Sequence, residues 1–352
     1  MRSEATRTTI ALSIAIGCSL ACTRRPSTSP AGDGESTGGA TLEPSAPDGK
    51  STPADPQRGS AYVGARTTVG PGFPSDGPWV SFYGRAAQMG DLARVARTYR
   101  IVNIDADPGA ANFTNAQLAE LRAGGKNRVL SYMNIGSCER FRTYWSTAPR
   151  GLLPCGQNPA AHRGAYAGYP DEVWMDLGNA DYQSLILEHV APRLAARVDG
   201  FYLDNLEIVE HSSTAANGPC PPACRQGGLD LVRRLREKFP NHLIVMQNAT
   251  SDATRLGKTG GIPFPLLLDG IAHEEVYAPT HDDSAEAELD AWSAMGLSTR
   301  SRRRFWIGVE DYVGSCENHR AARAAAARAR ARGFAPYASD ESGGQKVVCF
   351  WP

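Results

Sequence analysis

The feature that most constrains the fold of this sequence is a regular alternation of short β-rich runs with helical stretches, from Trp79 to the end of the chain. Eight of these runs have the length and composition of buried strands. Eight strands with helices between them, over about 275 residues, predict a (β/α)8 TIM barrel. The predicted strands are 79–83, 101–105, 128–133, 199–204, 242–247, 267–272, 304–309 and 334–338.

Helical stretches are predicted between these strands, and glycines mark the ends of two of them. Gly124-Gly125 closes the second predicted helix, and Gly333 closes the last. A doubly wound sheet is the alternative architecture, but neither GxGxxG nor GxxxxGK[ST] follows the first strand. The predicted helices are 86–98, 115–124, 139–146, 181–197, 226–239, 251–258, 284–295 and 317–332.

Residues 1–22 predict a lipoprotein-type signal peptide. Two arginines precede a short apolar run, 10–20, that ends in small residues. Ser19-Leu20-Ala21-Cys22 resembles a bacterial lipobox, so Cys22 is the expected lipidation site, with Cys18 as a second candidate. We therefore expect an exported protein that is anchored to a bacterial membrane, in the periplasm or at the cell surface. Plain secretion is the alternative.

The stretch 23–76 predicts a disordered tether between the signal peptide and a folded domain at 77–352. Ser, Thr, Pro, Gly, Ala and Asp dominate it, and the first aromatic residue is Tyr62. Such a composition buries too little apolar surface to offset the entropy lost on ordering. A lipid-anchored Cys22 would hold the domain away from the membrane surface by this tether.

The charge of the chain argues against a nucleic-acid partner. Lys plus Arg and Asp plus Glu each number 37, so the formal charge is zero. The Ala- and Arg-rich stretch 321–332 is interpreted as an exposed outer helix of the barrel, because both residues favour helices. No apolar run reaches the roughly 18 residues that a membrane-spanning helix needs. We expect a monomer.

The cysteine count predicts three disulfides. Six cysteines remain when Cys18 and Cys22 are set aside, and an even number in an exported protein favours disulfides over zinc. The spacing in Cys220-Pro-Pro-Ala-Cys224 does not suit a zinc knuckle. Six cysteines allow fifteen connectivities. Proximity in sequence alone selects the pairs Cys138–Cys155, Cys220–Cys224 and Cys316–Cys349.

Polar side chains at the carboxyl ends of the predicted strands form the candidate site, since (β/α)8 barrels place their chemistry there. These positions are rich in carboxylates and contain almost no Lys or Arg. Such an acidic rim selects a cation, which is a metal ion or a positively charged substrate. Capping of the following helices is the alternative role. The positions are Tyr83, Asp105, Asp107, Asn134, Glu139, Asp204, Asn205, Glu207, Gln247, Asn248, Glu274, Glu275, Glu310, Asp311 and Asp340.

Paired carboxylates indicate glycoside hydrolysis, which needs two of them flanking the sugar linkage. From Trp79 onward, the sequence contains no His-x-His or His-Glu-x-x-His metal motif and no Gly-x-Ser-x-Gly nucleophile motif. We expect no metal and no cofactor. Aromatic residues near the rim suit stacking on sugar faces, with three or four expected in the cleft. These aromatic residues are Trp79, Tyr83, Tyr132, Tyr144, Trp145, Trp174, Tyr202, Tyr277, Trp306 and Tyr312.

Five segments, in this order along the chain, resemble glycoside hydrolase family 114, the endo-α-1,4-polygalactosaminidase family. The first, 129–139, reads VLSYMNIGSCE, and 172–176 reads EVWMD. The third, 199–205, reads DGFYLDN, and Gln247-Asn248 follows. The last, 269–275, reads DGIAHEE. Together they extend over most of the predicted barrel.

The resemblance implies a (β/α)8 barrel whose paired carboxylates follow the fourth and sixth strands. In this sequence they are Asp204, expected as nucleophile or base, and Glu274, expected as proton donor. Glu275 is the main rival of Glu274 because it is its neighbour. Two departures, Glu207 in the loop after the fourth strand and the inserted 220–224, affect the substrate subsites. Expected substrate-binding residues are Tyr83, Asp105, Glu139, Asp176, Asn205, Asn248 and Glu275.

The resemblance also implies a substrate that fits the acidic rim. A galactosamine polymer carries an ammonium group on each unacetylated sugar, so an anionic cleft attracts it. Neighbouring carboxylates in that cleft should raise the pKa of one of them and keep it protonated. The expected partner is therefore a cationic amino-sugar polysaccharide. A non-catalytic glycan-binding lipoprotein and a divalent-metal enzyme are the alternatives.

Overall fold

The barrel domain lies in the part of the chain that the computed structural model describes, which is residues 73–74, 77–297, 305–341 and 344–351. The predicted signal peptide and lipidation site, with nearly all of the tether, lie outside these residues. Their assignment therefore remains a prediction.

Eight parallel strands form one sheet, and each pairs with the next in chain order. The first and last strands lie side by side, and the Trp79 indole donates to the carbonyl oxygen of Ala335 at 2.8 Å. The (β/α)8 barrel expected from the sequence is confirmed. Its strands are β1 (Trp79–Phe82), β2 (Ile101–Ile104), β3 (Arg128–Asn134), β7 (Gly200–Asp204), β8 (Leu243–Gln247), β11 (Gly270–Glu274), β12 (Trp306–Tyr312) and β13 (Ala335–Ser339).

Helices connect the barrel strands, at positions close to those expected. The first predicted helix is divided at Gly90, which has φ = 79°, a conformation that interrupts a helix. Within the described ranges, no helix is both long enough and apolar enough to cross a bilayer. The α-helices are Ala86–Met89, Leu92–Thr98, Asn115–Leu121, Thr143–Ser146, Ala180–Leu185, Ala191–Ala195, Pro222–Lys238, Asp252–Arg255, Asp283–Ala294 and His319–Ala331, with a π-turn at Ile186–Val190.

A small antiparallel sheet interrupts the barrel pattern between β3 and β7. It consists of β4 (Ser137–Glu139), β5 (His162–Tyr166) and β6 (Tyr169–Met175), with β6 in the centre. The predicted helix at 139–146 is wrong over its first residues, because Glu139 pairs with Glu172 of β6 instead. That partner lies 33 positions away, so no local periodicity could indicate it. A two-stranded sheet pairs β9 (Lys258–Thr259) with β10 (Ile262–Pro263).

The three predicted disulfides are confirmed. The Cα–Cα separations are 6.5 Å for Cys138–Cys155, 5.2 Å for Cys220–Cys224 and 5.0 Å for Cys316–Cys349. All are within the usual range for a disulfide. The first ties β4 to the loop before β5, and the third ties the segment after β12 to the C-terminal segment, which we define as residues 344–351.

The C-terminal segment lies across the seam between the first and last barrel strands. The amide of Tyr83 donates to the carbonyl oxygen of Gln345 at 2.7 Å, and the Tyr99 hydroxyl donates to that of Cys349 at 2.5 Å. The Trp351 indole donates to the carbonyl oxygen of Ala338 at 2.7 Å. These contacts, together with the Cys316–Cys349 disulfide, hold the segment against the barrel.

Candidate active site

Asp204 ends β7 at the mouth of the barrel, where β3 and β7 approach each other closely. The amides of Ile135 and Gly136 both point at the carbonyl oxygen of Asp204, at 3.1 and 3.4 Å. A Cβ atom at position 136 would lie 1.6 Å from the carbonyl oxygen of Asn205. Only glycine permits this approach, so Gly136 fixes where the carboxyl end of β7 stands.

The Asp204 carboxyl lies on the floor of the cleft and is only partly exposed. Burial raises its pKa to about 8, and the negative charge of Glu274 acts in the same direction. A hydrogen bond from Tyr132 opposes the rise. The desolvation outweighs that hydrogen bond, so Asp204 holds a proton at neutral pH.

Glu274 ends β11 and has very different surroundings. Its carboxylate accepts hydrogen bonds from the Tyr312 hydroxyl, from Asn248 Nδ2 at 2.8 Å and from Gln345 Nε2 at 3.1 Å. Its own amide donates to Asn248 Oδ1 at 3.0 Å. All three side-chain partners donate, so the Glu274 carboxyl is the acceptor in each of these hydrogen bonds.

Asp204 and Glu274 therefore form a coupled pair with one carboxyl desolvated and the other surrounded by donors. Because the charge of Glu274 raises the pKa of Asp204, the proton on Asp204 depends on its partner. A pair with one proton offers one acid and one base, and this is what hydrolysis of a glycosidic bond requires. The structure brings together the two residues that the sequence selected.

The expectation of a rim almost free of basic residues is wrong at Arg142. This residue is buried, and its guanidinium binds both oxygens of Glu139 at 2.8 and 3.0 Å and Asp105 at 2.9 Å. Burial raises the pKa of Asp105, and the Arg142 charge opposes that rise. Asp105 and Glu139, which were both predicted to bind substrate, line the cleft. Arg142 neutralises much of their charge.

The carboxylate of β6 that lines the cleft is Glu172, whereas the sequence predicted Asp176, the residue after β6. Asp176 pairs with Arg163 and accepts from the Gly178 amide at 2.8 Å, and it does not line the cleft. Glu172, four residues earlier, lines the cleft and accepts from Asn205 Nδ2 at 3.1 Å. Burial raises the pKa of Glu172. Side chains an even number of positions apart along a strand point to the same face. The alternation alone therefore could not tell whether Glu172 or Asp176 enters the cleft.

Three residues that follow barrel strands adopt left-handed backbone conformations. Asn205 has φ = 61°, Asn248 has φ = 60° and Glu275 has φ = 57°. Asn tolerates this conformation and Glu does not, so Glu275 is held against its preference by the surrounding structure. Its amide donates to the carbonyl oxygen of Glu310 at 2.8 Å. Such local strain is concentrated at functional sites.

The cleft over the pair has a volume of about 560 Å³. It contains the expected residues Tyr83, Asp105, Glu139, Asp204, Asn205, Asn248 and Glu274. Sequence reasoning missed Tyr166, Tyr169, Glu172, Gln345 and Lys346, because none of them directly follows a predicted barrel strand. Six of the residues that line the cleft are acidic and two are basic, which leaves it acidic.

A second cavity, of about 710 Å³, adjoins the cleft beyond Glu274. Both cavities are lined by Tyr169, Asn248 and Glu274, so they adjoin each other at Glu274 and together make up the groove. Glu275 lines the second cavity and not the first, which separates it from its rival Glu274. Carboxylates of the loop after β11 line this part as well, namely Asp282 and Asp283.

Two further carboxylates lie near the pair without a hydrogen-bond partner for every oxygen. Glu310, on β12, pairs in register with Glu274 and is completely buried. Burial raises the pKa of Glu310, and so does the charge of Glu274. Burial and the charge of Asp204 raise the pKa of Glu207 in the same way. Both shifts favour the neutral form of these carboxyls, which would limit the negative charge around the pair.

An eight-stranded barrel with paired carboxylates at the carboxyl ends of its strands, inside a long groove, defines the class of (β/α)8 glycoside hydrolases. Residues 79–248 match the sequence model of glycoside-hydrolase family GH114. The match confirms the resemblance to this family that the sequence motifs predicted, and it supports glycoside hydrolase activity. A search of curated proteins finds no match to this chain.

Two solved structures share the fold. The glycoside hydrolase domain of PelA from Pseudomonas aeruginosa has 18% sequence identity and a TM-score of 0.55, and the alignment covers 77% of this chain and 98% of that domain. Ega3 from Aspergillus fumigatus, in a complex with galactosamine, has 14% identity and a TM-score of 0.55, over 80% of this chain and 98% of that one. At these identities the likeness establishes the fold.

Proposed function

We propose that this protein hydrolyses α-1,4-linked, galactosamine-containing polysaccharides within the chain, with Asp204 and Glu274 as the catalytic carboxylates. The observation that carries the proposal is the pair itself, one carboxyl desolvated and one surrounded by donors, at the centre of an acidic groove. The family match and the galactosamine in the Ega3 complex supply the substrate class.

The charge of the groove supports a cationic polymer as substrate. Arg142 already neutralises part of the charge of Asp105 and Glu139, whereas the described residues that donate to Glu172 and Glu274 are neutral. An ammonium group that enters the groove would therefore meet two carboxylates, Glu172 and Glu274, that have no cationic partner among the described residues. Uronic-acid polymers would be repelled, and neutral ones would lose this attraction.

The length of the groove supports cleavage inside a polymer. The two cavities meet at Glu274, so a chain that crosses the pair could occupy both. Tyr169 lies at the junction and is 47% exposed, which leaves its ring free to stack on a sugar face. A substrate confined to one sugar at an end would not need both cavities.

The roles within the pair follow the family resemblance, with Asp204 as nucleophile or base and Glu274 as proton donor. In the resting enzyme Asp204 holds the proton, so this order requires that the proton pass to Glu274 when a cationic sugar binds beside Asp204. An activated aryl glycoside tests the order, because a good leaving group needs no proton from the acid but still needs the nucleophile or base. We expect Glu274→Ala to keep the release of the aryl group and Asp204→Ala to lose it. The reverse result would exchange the two roles.

The proposed function is tested by product analysis on partly deacetylated α-1,4-galactosaminogalactan. We expect short oligosaccharides of several lengths, which indicate cleavage within the chain. Fully acetylated polymer and polygalacturonate are the matched controls and should be cut slowly or not at all. Binding of the polymer without any product would favour the glycan-binding alternative, and loss of activity in EDTA would favour a metal enzyme.

The pH dependence of cleavage should follow the shared proton. Since the pKa of Asp204 is raised to about 8, the pair loses its proton as the pH rises through that value. The free pair then has no acid, and we expect kcat/KM to fall about tenfold for each further pH unit. Initial rates between pH 5 and 10 on one soluble oligomer measure this. A rate that stays constant up to pH 10 would contradict the one-proton state.

We propose further that Cys22 carries the lipid that anchors the enzyme to a bacterial membrane. The proposal is supported by the lipobox-like Ser19-Leu20-Ala21-Cys22 after an apolar run. In a bacterial host, Cys22→Ala should lose labelling by a palmitate analogue and leave the membrane fraction. Cys18→Ala is the matched control and should keep both. The opposite pattern would move the lipid to Cys18.

A further inference from the structure

We infer that Gln345 is a positioning residue for Glu274 and that the Cys316–Cys349 disulfide keeps it in place. The inference rests on the proposed function and concerns a residue far outside the family match, which ends at residue 248. Gln345 belongs to the C-terminal segment, 344–351, and follows all eight barrel strands.

The contacts of the Gln345 side chain point directly at the pair. Its Nε2 donates to Glu274 Oε1 at 3.1 Å and to the Tyr312 hydroxyl at 2.5 Å. The same Tyr312 hydroxyl donates to Glu274 Oε1. Gln345 thus contacts the carboxylate directly and orients a second donor to it. An amide has two N–H donors, and these two contacts account for both.

The backbone of Gln345 has an unusual conformation, which places its side chain beside the pair. Gln345 is 3% exposed and has φ = 35°, a conformation that a residue with a Cβ atom rarely adopts. Its carbonyl oxygen accepts from the Tyr83 amide at 2.7 Å, at the end of β1. An unfavourable conformation in a buried residue persists only where surrounding contacts impose it.

The Cys316–Cys349 disulfide is the covalent one among the contacts that hold Gln345 in this conformation. Cys349 lies four residues after Gln345, and its bond to Cys316 joins the segment to the end of β12. Tyr312, which shares the hydrogen bonds to Glu274, is the last residue of that strand. One covalent link therefore fixes both donors, Tyr312 and Gln345, relative to the same carboxylate.

The pH profile separates positioning from a general structural role. Gln345 donates to the Glu274 carboxylate, and a donor stabilises the ionised form of a carboxyl, so loss of this donor should favour protonation at this position. The acid limb of the profile should then move to higher pH, while the alkaline limb, which reflects Asp204, should stay. The titratable groups that interact with Glu274 are the same in both protonation states. They are Tyr83, Tyr169, Tyr202, Asp204, Glu207, Glu310 and Tyr312.

The experiment compares wild type, Asp204→Asn, Gln345→Ala and the double variant Cys316→Ser/Cys349→Ser. Gln345→Ala should lower kcat by about 10–100-fold, the usual cost of a lost hydrogen bond to a charged group, and shift the acid limb. The double cysteine variant should show the same shift, and combining it with Gln345→Ala should add little. Cys220→Ser/Cys224→Ser is the matched control and should keep the acid limb of wild type.

A folded Gln345→Ala enzyme with the rate and acid limb of wild type would overturn the positioning role. Where the cysteine variant does not fold, amide exchange at Tyr83 in the wild type, with and without dithiothreitol, decides the role of the disulfide. Reduction should speed that exchange, and an unchanged rate would overturn this part. If wild type and Asp204→Asn are equally inactive, the proposed function fails, and the exchange result still reports whether the disulfide holds Gln345.

Discussion

Asp204→Asn and Glu274→Gln should each reduce cleavage of a galactosamine polymer by about 10²–10⁴-fold, because each removes one member of the acid–base pair. Asp204→Asn also removes a carboxyl whose pKa is raised to about 8 by burial. In the unfolded chain the same carboxyl ionises at pH ~4, so its raised pKa costs the fold stability progressively as the pH rises from there to about 8, and the full cost remains at pH 9. The variant should therefore unfold at a higher temperature than wild type at pH 9. Initial rates and thermal unfolding of the two variants measure both effects.

Glu275→Gln is the matched control for Glu274→Gln. The two residues are neighbours, but only Glu274 accepts from Tyr312, Gln345 and Asn248. Glu275→Gln should keep substantial turnover and weaken only the binding of longer chains, since Glu275 lines the second cavity. Near-normal turnover in Glu274→Gln, with loss in Glu275→Gln, would transfer the catalytic role to Glu275.

Arg142→Met should cost the fold about 3–5 kcal/mol in the free energy of unfolding, because it leaves two buried carboxylates unpaired. The side chains of Arg142, Asp105 and Glu139 are only 6%, 10% and 3% exposed. Unpaired, both carboxyls would bind protons more tightly in the folded than in the unfolded state. The loss should therefore be larger at pH 8 than at pH 5, where protonation relieves it. Urea unfolding at the two pH values measures this.

Arg332→Met is the matched control for Arg142→Met. Arg332 also binds two carboxylates, Glu286 and Asp290, but its side chain is 41% exposed. Solvent screens such pairs, so the variant should lose at most about 1 kcal/mol. Equal losses in the two variants would show that burial does not set the strength of the Arg142 network.

The barrel was predictable from the sequence because its strands are local features. All eight strands lie where composition and alternation placed them, with small shifts such as Gly270–Glu274 for the expected 267–272. The small sheet was not predictable, since β4 and β6 meet across a long intervening loop and neither carries a strong pattern of its own. The pairing of the six cysteines was predictable because each nearest pair in sequence is also close in the fold.

The site was predictable only where it follows barrel strands. Asp204, Glu274 and Asn248 stand at strand ends and were identified from position and motif. Arg142 and Gln345 were not, because a loop and a terminal segment bring them to the cleft and no strand register describes either. Asp176 shows the same limit in reverse, since its motif suggested a cleft position and Arg163 holds it elsewhere.

The seam between β1 and β13 has a consequence for how the protein is made. Trp79 and Ala335, which are in contact there, are 256 positions apart in the chain. After β1 has left the ribosome, nearly all of the remaining domain must still be synthesised before β13 can lie beside it. Until then its edge is open to incorrect pairing. We therefore expect the emerging chain to depend on chaperones and to show no hydrolase activity until the last strand is in place.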